Sequence, residues 1–114
     1  MAKVEIDLEA LKTTNLRVLA QADSGAAPGP ESSMLKIKGT EIRQTINDLT
    51  RRALGPYAMP FVSEALEAGY NDEPIGPDYA NGVAADYFNH RKTSIYGGSN
   101  EVQRNIISKM MMGL

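Results

Sequence analysis

The residues with the clearest chemical potential stand together near the C-terminus as Gly97, Gly98, Ser99, Asn100 and Glu101. Two glycines leave the backbone bare, and serine or asparagine is preferred where a helix begins and its first N–H groups lack acceptors. A glutamate in the first turn suits the positive end of the helix dipole. Such a segment can hold an electronegative group of a ligand. The same residues are also typical of a simple connector between two helices, with no ligand bound.

Other residue types offer little catalytic chemistry. His90 is the one histidine and there is no cysteine, so we predict no metal site and interpret His90 as a packing or surface residue. No pair of carboxylates is placed convincingly for acid–base work. The methionines at 110–112 are interpreted as packing side chains. Four arginines are interpreted as solvated helix faces rather than phosphate ligands: Arg51, Arg52, Arg91 and Arg104.

Composition excludes several classes of protein. A chain of 114 residues has room for one domain with a modest core, which we place over residues 1–114. A net charge of −2 argues against nucleic acid as a partner, because no basic surplus is available to neutralise phosphates. The absence of cysteine fits a reducing cytoplasm. No apolar run approaches the roughly twenty residues that a membrane span needs, and acids soon after Met1 are unlike a secretion signal.

Apolar periodicity predicts an all-α fold. Spacings of three and four residues predict helices over 3–22 and 31–54, separated by a loop rich in glycine and proline over 24–30. Gly39, inside the second helix, is expected at a crossing with another helix. The first helix carries apolar residues on more than one face, so more than one neighbour is expected to pack there.

The second half predicts a short helix over 60–68, a loop over 69–77 and a helix over 78–95. A final helix follows the glycines and ends at Gly113. The fold is thus four main helices plus a short one, with no strand pattern. The stripes predict these buried side chains: Ile42, Ile46, Leu49, Val102 and Ile106.

The amino-acid sequence of the C-terminal stretch resembles the signature of a known family. Residues 95–107 read Ile-Tyr-Gly-Gly-Ser-Asn-Glu-Val-Gln-Arg-Asn-Ile-Ile, and Met-Gly-Leu ends the chain. This stretch closely resembles the C-terminal signature of the acyl-CoA dehydrogenase family, and residues 86–94 resemble the approach to it. The resemblance implies an up-and-down helical bundle like the family's C-terminal domain. It also implies a flavoprotein that uses FAD to remove two hydrogens from the α and β carbons of an acyl-CoA.

The resemblance assigns roles to single residues. The family's FAD contacts map onto Ser99 and Glu101, with Asn100 between them. Tyr96 corresponds to a tyrosine near the acyl thioester, which places Gly97 and Gly98 in the substrate-binding set beside it.

Departures from the family pattern limit what the chain is expected to do. Gly97 stands where many members carry the glutamate that abstracts the α-proton, so we assign no catalytic residue. The family's arginine-phenylalanine stretch and its glutamine with paired glycines after the long helix are not found. The chain corresponds to roughly the last third of the family's enzymes and lacks the first helix of the bundle. We therefore expect a partial domain that is inactive and does not retain FAD alone, and that forms a homo-oligomer.

Two alternatives come from other functional classes. The chain could be a non-catalytic helical interaction module, such as a silent subunit that pairs with a complete partner. It could also belong to a related flavin oxidase or monooxygenase, because the bundle alone does not set the flavin chemistry.

Overall fold

The computed structural model describes residues 2–25, 27 and 29–113, and every regular element among them is helical. This confirms the predicted all-α fold with four main helices: α1 (Ala2–Asp23), α2 (Glu31–Leu54), α3 (Val83–Asn89) and α4 (Asn100–Met112). The chain forms two compact units, one of residues up to Arg43 with those from Lys92 onward, and one of Gln44–Arg91. No helix in the described ranges has both the length and the apolar character to cross a membrane.

Glycine and charge set the helix ends. α2 has the predicted bounds, with Arg51 and Arg52 in its last turn and Gly55 after it at φ +57°. α4 ends at Gly113, which takes a left-handed conformation at φ +69° and donates its N–H to Lys109 O at 3.2 Å. In the predicted loop over 24–30, positions 26 and 28 lie outside the described residues.

Two predictions of regular α-helix are wrong. The stretch over 60–68 contains only a 3-10 turn, Glu64–Leu66, after another at Gly55–Ala58. The eight residues between Pro60 and Gly69 are too few to form the hydrogen bonds that would offset the cost of helix nucleation. The helix expected over 78–95 is α3 flanked by 3-10 turns, Asp78–Ala80 before it and His90–Ser94 after it. Gly82 immediately precedes α3, which accounts for the interruption on that side.

In the first unit, α1 packs on the N-terminal part of α2. Val4, Leu11 and Val18 of α1 are half-buried, and none of the helix's residues is fully buried. A groove of about 180 Å³ runs between α1 and α2. Gly39 faces α1, because a Cβ built on it would lie 4.0 Å from Leu11 Cδ2. The glycine lies at a helix crossing, as expected, yet the crossing leaves room for a methyl group.

The predicted core is largely wrong. Ile42 is buried at 7% exposure and Leu49 is half-buried, but Ile46, Val102 and Ile106 are exposed at 37%, 48% and 37%. The buried side chains among the described residues are small or on α2: Ser33, Ile37, Ile42, Ala58, Ala80, Ala84 and Thr93.

The helix α4 explains most of this error. Its less exposed face carries Asn100, Gln103 and Ile107, whereas the apolar stripe of Val102 and Ile106 faces outward. Spacing alone identified the stripe correctly but not the side of the helix that faces the protein.

In the second unit, cations and an aromatic ring join α3 to the C-terminal part of α2. The guanidinium carbons of Arg51 and Arg91 lie 5.0 and 4.3 Å from the ring centroid of Tyr87. Asp48 accepts from Arg51 at 3.0 Å and from Arg52 at 2.7 Å. The hydrogen bond from Arg51, followed by the charges of Arg52 and Arg51, holds the pKa of Asp48 below its ordinary value.

The room at Gly39 makes a testable prediction. Gly39→Ala should raise the free energy of unfolding by about 0.5–1 kcal/mol, because alanine favours helix and its methyl group meets Leu11 at an ordinary distance. Urea denaturation measures the change. As a contrast, Gly76→Ala should destabilise the protein, because Gly76 has φ +87° and its added Cβ would overlap the ring of Tyr57. An equal loss of unfolding free energy in both variants would contradict the prediction, because it would mean that the crossing at Gly39 has no room for a methyl group.

Candidate functional site

Ser99 begins α4 as its N-cap. Its backbone is extended at φ −60° and ψ 158°, and its Oγ accepts from the N–H of Val102 at 3.3 Å. Its carbonyl accepts from the N–H of Gln103 at 2.9 Å. The structure therefore uses Ser99 as the cap and Asn100 as the first helical residue.

The glycine pair before the cap is required for two different reasons. Gly97 and Gly98 have φ of +67° and +85°, a region that other residues rarely adopt. A Cβ on Gly98 would lie 2.7 Å from Gln103 Nε2, the atom that donates to Gly97 O at 3.0 Å. A Cβ on Gly97 would meet nothing within 4 Å. The backbone at Gly97 thus borders open space, where another molecule can approach closely.

Hydrogen bonds hold the backbone at Tyr96, whereas its ring is accessible. The N–H groups of Ile95 and Tyr96 donate to Lys92 O at 2.9 and 3.1 Å. The side chain of Tyr96 is 57% exposed. Its phenol ring is therefore available to a ligand beside the glycines.

Asn100 is directed onto α2. Its Oδ1 accepts from Lys36 Nζ at 2.9 Å, and its Nδ2 donates to Thr40 Oγ1 at 3.3 Å. The Thr40 hydroxyl donates in turn to Ile37 O at 2.8 Å. All three side chains in this cluster of Lys36, Thr40 and Asn100 are half-buried.

Lys36 and Thr40 are not among the site residues predicted from the sequence. The available signal was their spacing of four, which places two polar residues on one side of α2 beside the buried Ile37. Their partner is 60 to 64 residues away along the chain, so no local pattern could identify it.

Glu101 is held in its ionised form. Its own backbone N–H, then the hydroxyl of Ser99, hold the pKa of the Glu101 carboxyl below its ordinary value, with smaller contributions from Arg104 and Lys36. An ionised carboxylate is an acceptor only. Glu101 therefore suits hydroxyl or N–H groups of a ligand and disfavours its phosphates.

The remaining candidates show ordinary surroundings. His90 is half-buried, with its Nδ1 2.8 Å from Asp86 O. The side chains of Met110, Met111 and Met112 are exposed, so they are not part of the buried core. Across the described ranges, no three residues of the types His, Cys, Asp and Glu come together in a way that could hold a metal ion.

The cap makes a testable prediction. Ser99→Ala should cost about 1 kcal/mol of unfolding free energy, because the N–H of Val102 loses its acceptor. It should also raise the pKa of Glu101, because the carboxylate loses a donor. Denaturation and an NMR pH titration of the Glu101 carboxyl measure the two effects.

The pH dependence has a definite sign. Because the folded pKa of Glu101 is lowered, its contribution to stability is present above the ordinary glutamate value of about 4.3 and is lost as the pH falls through the folded pKa. Ser99→Ala should reduce this dependence on pH. Ser108→Ala, in the interior of the same helix, serves as the control and should leave the Glu101 titration unchanged. A Glu101 titration unaltered by Ser99→Ala would contradict the assigned hydrogen bond.

Comparison with known proteins identifies the family. The model of the family described as acyl-CoA dehydrogenase, C-terminal domain, matches residues 1–112 of the 114-residue chain. No curated protein and no solved structure matches the chain at a significant level. The match covers the helices described above as well as the glycine loop, which confirms the resemblance inferred from residues 95–107. The chain belongs to the acyl-CoA dehydrogenase family, as its C-terminal domain.

Proposed function

We propose that this chain is the C-terminal part of an FAD-dependent acyl-CoA dehydrogenase, which in the whole protein forms a double bond between the α and β carbons of an acyl-CoA thioester. The observation that carries the proposal is the family match over residues 1–112. The bare loop at Gly97, next to a well-capped helix, supports it.

The residues at the start of α4 fit a flavin nucleotide. Ser99 and Glu101 are proposed to contact FAD, with Asn100 between them in the same cofactor-binding set. The ionised Glu101 suits the hydroxyl and N–H groups of the nucleotide, because a carboxylate only accepts hydrogen bonds. FAD, when bound, supplies the acceptor for the hydrogen removed as hydride.

The glycine loop is proposed to meet the acyl thioester. Tyr96 presents an exposed ring, and Gly97 and Gly98 present backbone without side chains. Such a surface lets a thioester lie close to the main chain and orients it beside the cofactor residues.

We assign no catalytic residue to the chain. The loop position of the family's glutamate is occupied by Gly97, which has no side chain to accept a proton. The chain by itself is accordingly proposed to bind FAD only weakly and to perform no dehydrogenation. Acyl-CoA as substrate, assembly into a homo-oligomer and a cytoplasmic location complete the proposal.

An interaction module is the second candidate function. Large apolar side chains are exposed on α1 and α4, including Leu16 and Leu19 on the first and Ile106 and Met110 on the second. A silent subunit that covers these faces with a partner, and uses no cofactor, would have the same helices. A related flavin oxidase or monooxygenase would share the fold with different chemistry.

An NMR titration with FAD separates these proposals. Adding millimolar FAD to the isotope-labelled chain should shift the amide resonances of Tyr96, Gly97, Ser99 and Glu101 more than those of residues in α3. Ser99→Ala should weaken the interaction several-fold, and Ser108→Ala should not. Shifts that are absent, or spread evenly over the chain, would favour the interaction module.

Turnover is the second arm of the same experiment. The chain supplied with FAD, an acyl-CoA and an electron acceptor should reduce no more acceptor than a protein-free blank, because no base is available at Gly97. Turnover above the blank that is lost on mutating a residue of this chain would overturn the assignment of no catalytic residue.

The exposed apolar faces make a prediction about association. Monomers rarely expose contiguous apolar patches of more than a few hundred Å². Sedimentation equilibrium at micromolar concentration should therefore show a dimer or higher oligomer, and Ile106→Lys should shift it toward monomer. Ile75→Lys, at an exposed isoleucine outside both helices, is the control and should leave the mass unchanged. A clean monomer with cooperative unfolding would contradict this prediction.

A further inference from the structure

The cluster of Lys36, Thr40 and Asn100 joins α2 to the first turn of α4 within the first unit. We propose that Lys36 and Thr40 are positioning residues, which through Asn100 set the orientation of the first turn of α4 and of the glycine loop before it. That this loop serves a flavin and a thioester rests on the proposed function. The positioning itself rests on the hydrogen bonds of the cluster.

The direction of each hydrogen bond in the cluster follows from the chemistry of its three side chains. An ammonium group only donates, so Lys36 requires the oxygen of the Asn100 amide to face it, at 2.9 Å. The Thr40 oxygen lies 3.3 Å from the amide nitrogen and 3.4 Å from the amide oxygen of Asn100, and its one hydrogen is best directed to Ile37 O, at the shorter distance of 2.8 Å. Thr40 must therefore accept from Asn100. Reversing the amide would place two donors against each other at Lys36, so the arrangement specifies one rotamer of Asn100.

The outer face of α4 makes weak contacts near its first turn, while Ile107 and Ser108 are half-buried further along the helix. Val102 and Ile106 face outward, and the contact of Arg104 with Glu41 spans 3.8 Å between exposed side chains. From the anchored turn, Gln103 reaches back to Gly97 O at 3.0 Å. Orientation set at Asn100 is thus transmitted to the glycine loop by a side chain three residues further along the same helix.

A labelled-amide experiment tests the positioning without any cofactor. Lys36→Met keeps most of the side chain's stem and removes the donor. It should shift the amide resonances of Gly97 and Gly98 and speed hydrogen exchange at the Val102 amide about tenfold, as expected for loss of a hydrogen bond to a charged group. Asn100→Ala should shift the same loop amides, and the double variant should add little to it because the two residues act as one unit.

The controls separate positioning from general stability. Lys38→Met removes a charge from the same helix at a lysine that pairs with Glu41, and should leave the glycine resonances in place. Lys36→Arg keeps the donor and Thr40→Ser keeps the acceptor. In both variants the glycine resonances should therefore stay at their wild-type positions. A merely structural role would lower stability without moving the glycine resonances and would gain nothing specific from these conservative variants.

The outcomes are distinguishable. Glycine resonances that stay in place in Lys36→Met, or that move equally in Lys38→Met, would overturn the positioning role. A wild-type chain whose loop resonances do not respond to FAD would count against the proposed function alone, because the shifts caused by Lys36→Met need no ligand.

Discussion

The hydrogen bond from Lys36 to Asn100 is the interaction on which the described loop geometry depends. At 2.9 Å and half-buried, it joins residues 64 apart in sequence and fixes the first turn of α4 on α2. The Ser99 cap, the Gln103 contact with Gly97 and the ionised Glu101 all lie within one turn of that anchor. Hydrogen bonds of this kind specify orientation more narrowly than apolar burial, which tolerates rotation about a helix axis.

The start and end of each long helix could be predicted from the sequence, because those signals are local. Gly55 after α2, Ser99 before α4 and Gly113 after it each act through their own backbone or side chain. The inward face of α4 could not be predicted in this way. Val102 and Ile106 form the more apolar stripe, yet the helix turns Asn100 and Gln103 toward the protein, because their partners lie on distant parts of the chain or in the preceding loop.

The candidate site likewise combines local features, which the sequence predicts, with long-range contacts, which it does not predict. Local composition predicted a bare, capped loop and the residue types within it. Lys36 and Thr40 could not be predicted from local composition, because they contact Asn100 only once α2 lies beside α4. The described loop offers bare backbone at Gly97, the exposed ring of Tyr96 and the ionised carboxylate of Glu101.

Native-state hydrogen exchange along α4 tests the central claim, that polar contacts at the first turn hold this helix in place. The amides of Gln103 and Arg104, next to the anchored turn, should exchange more slowly than those of Met110 and Met111, whose side chains are exposed. Slower exchange toward Met110 would contradict it, because α4 would then be held by its apolar C-terminal half.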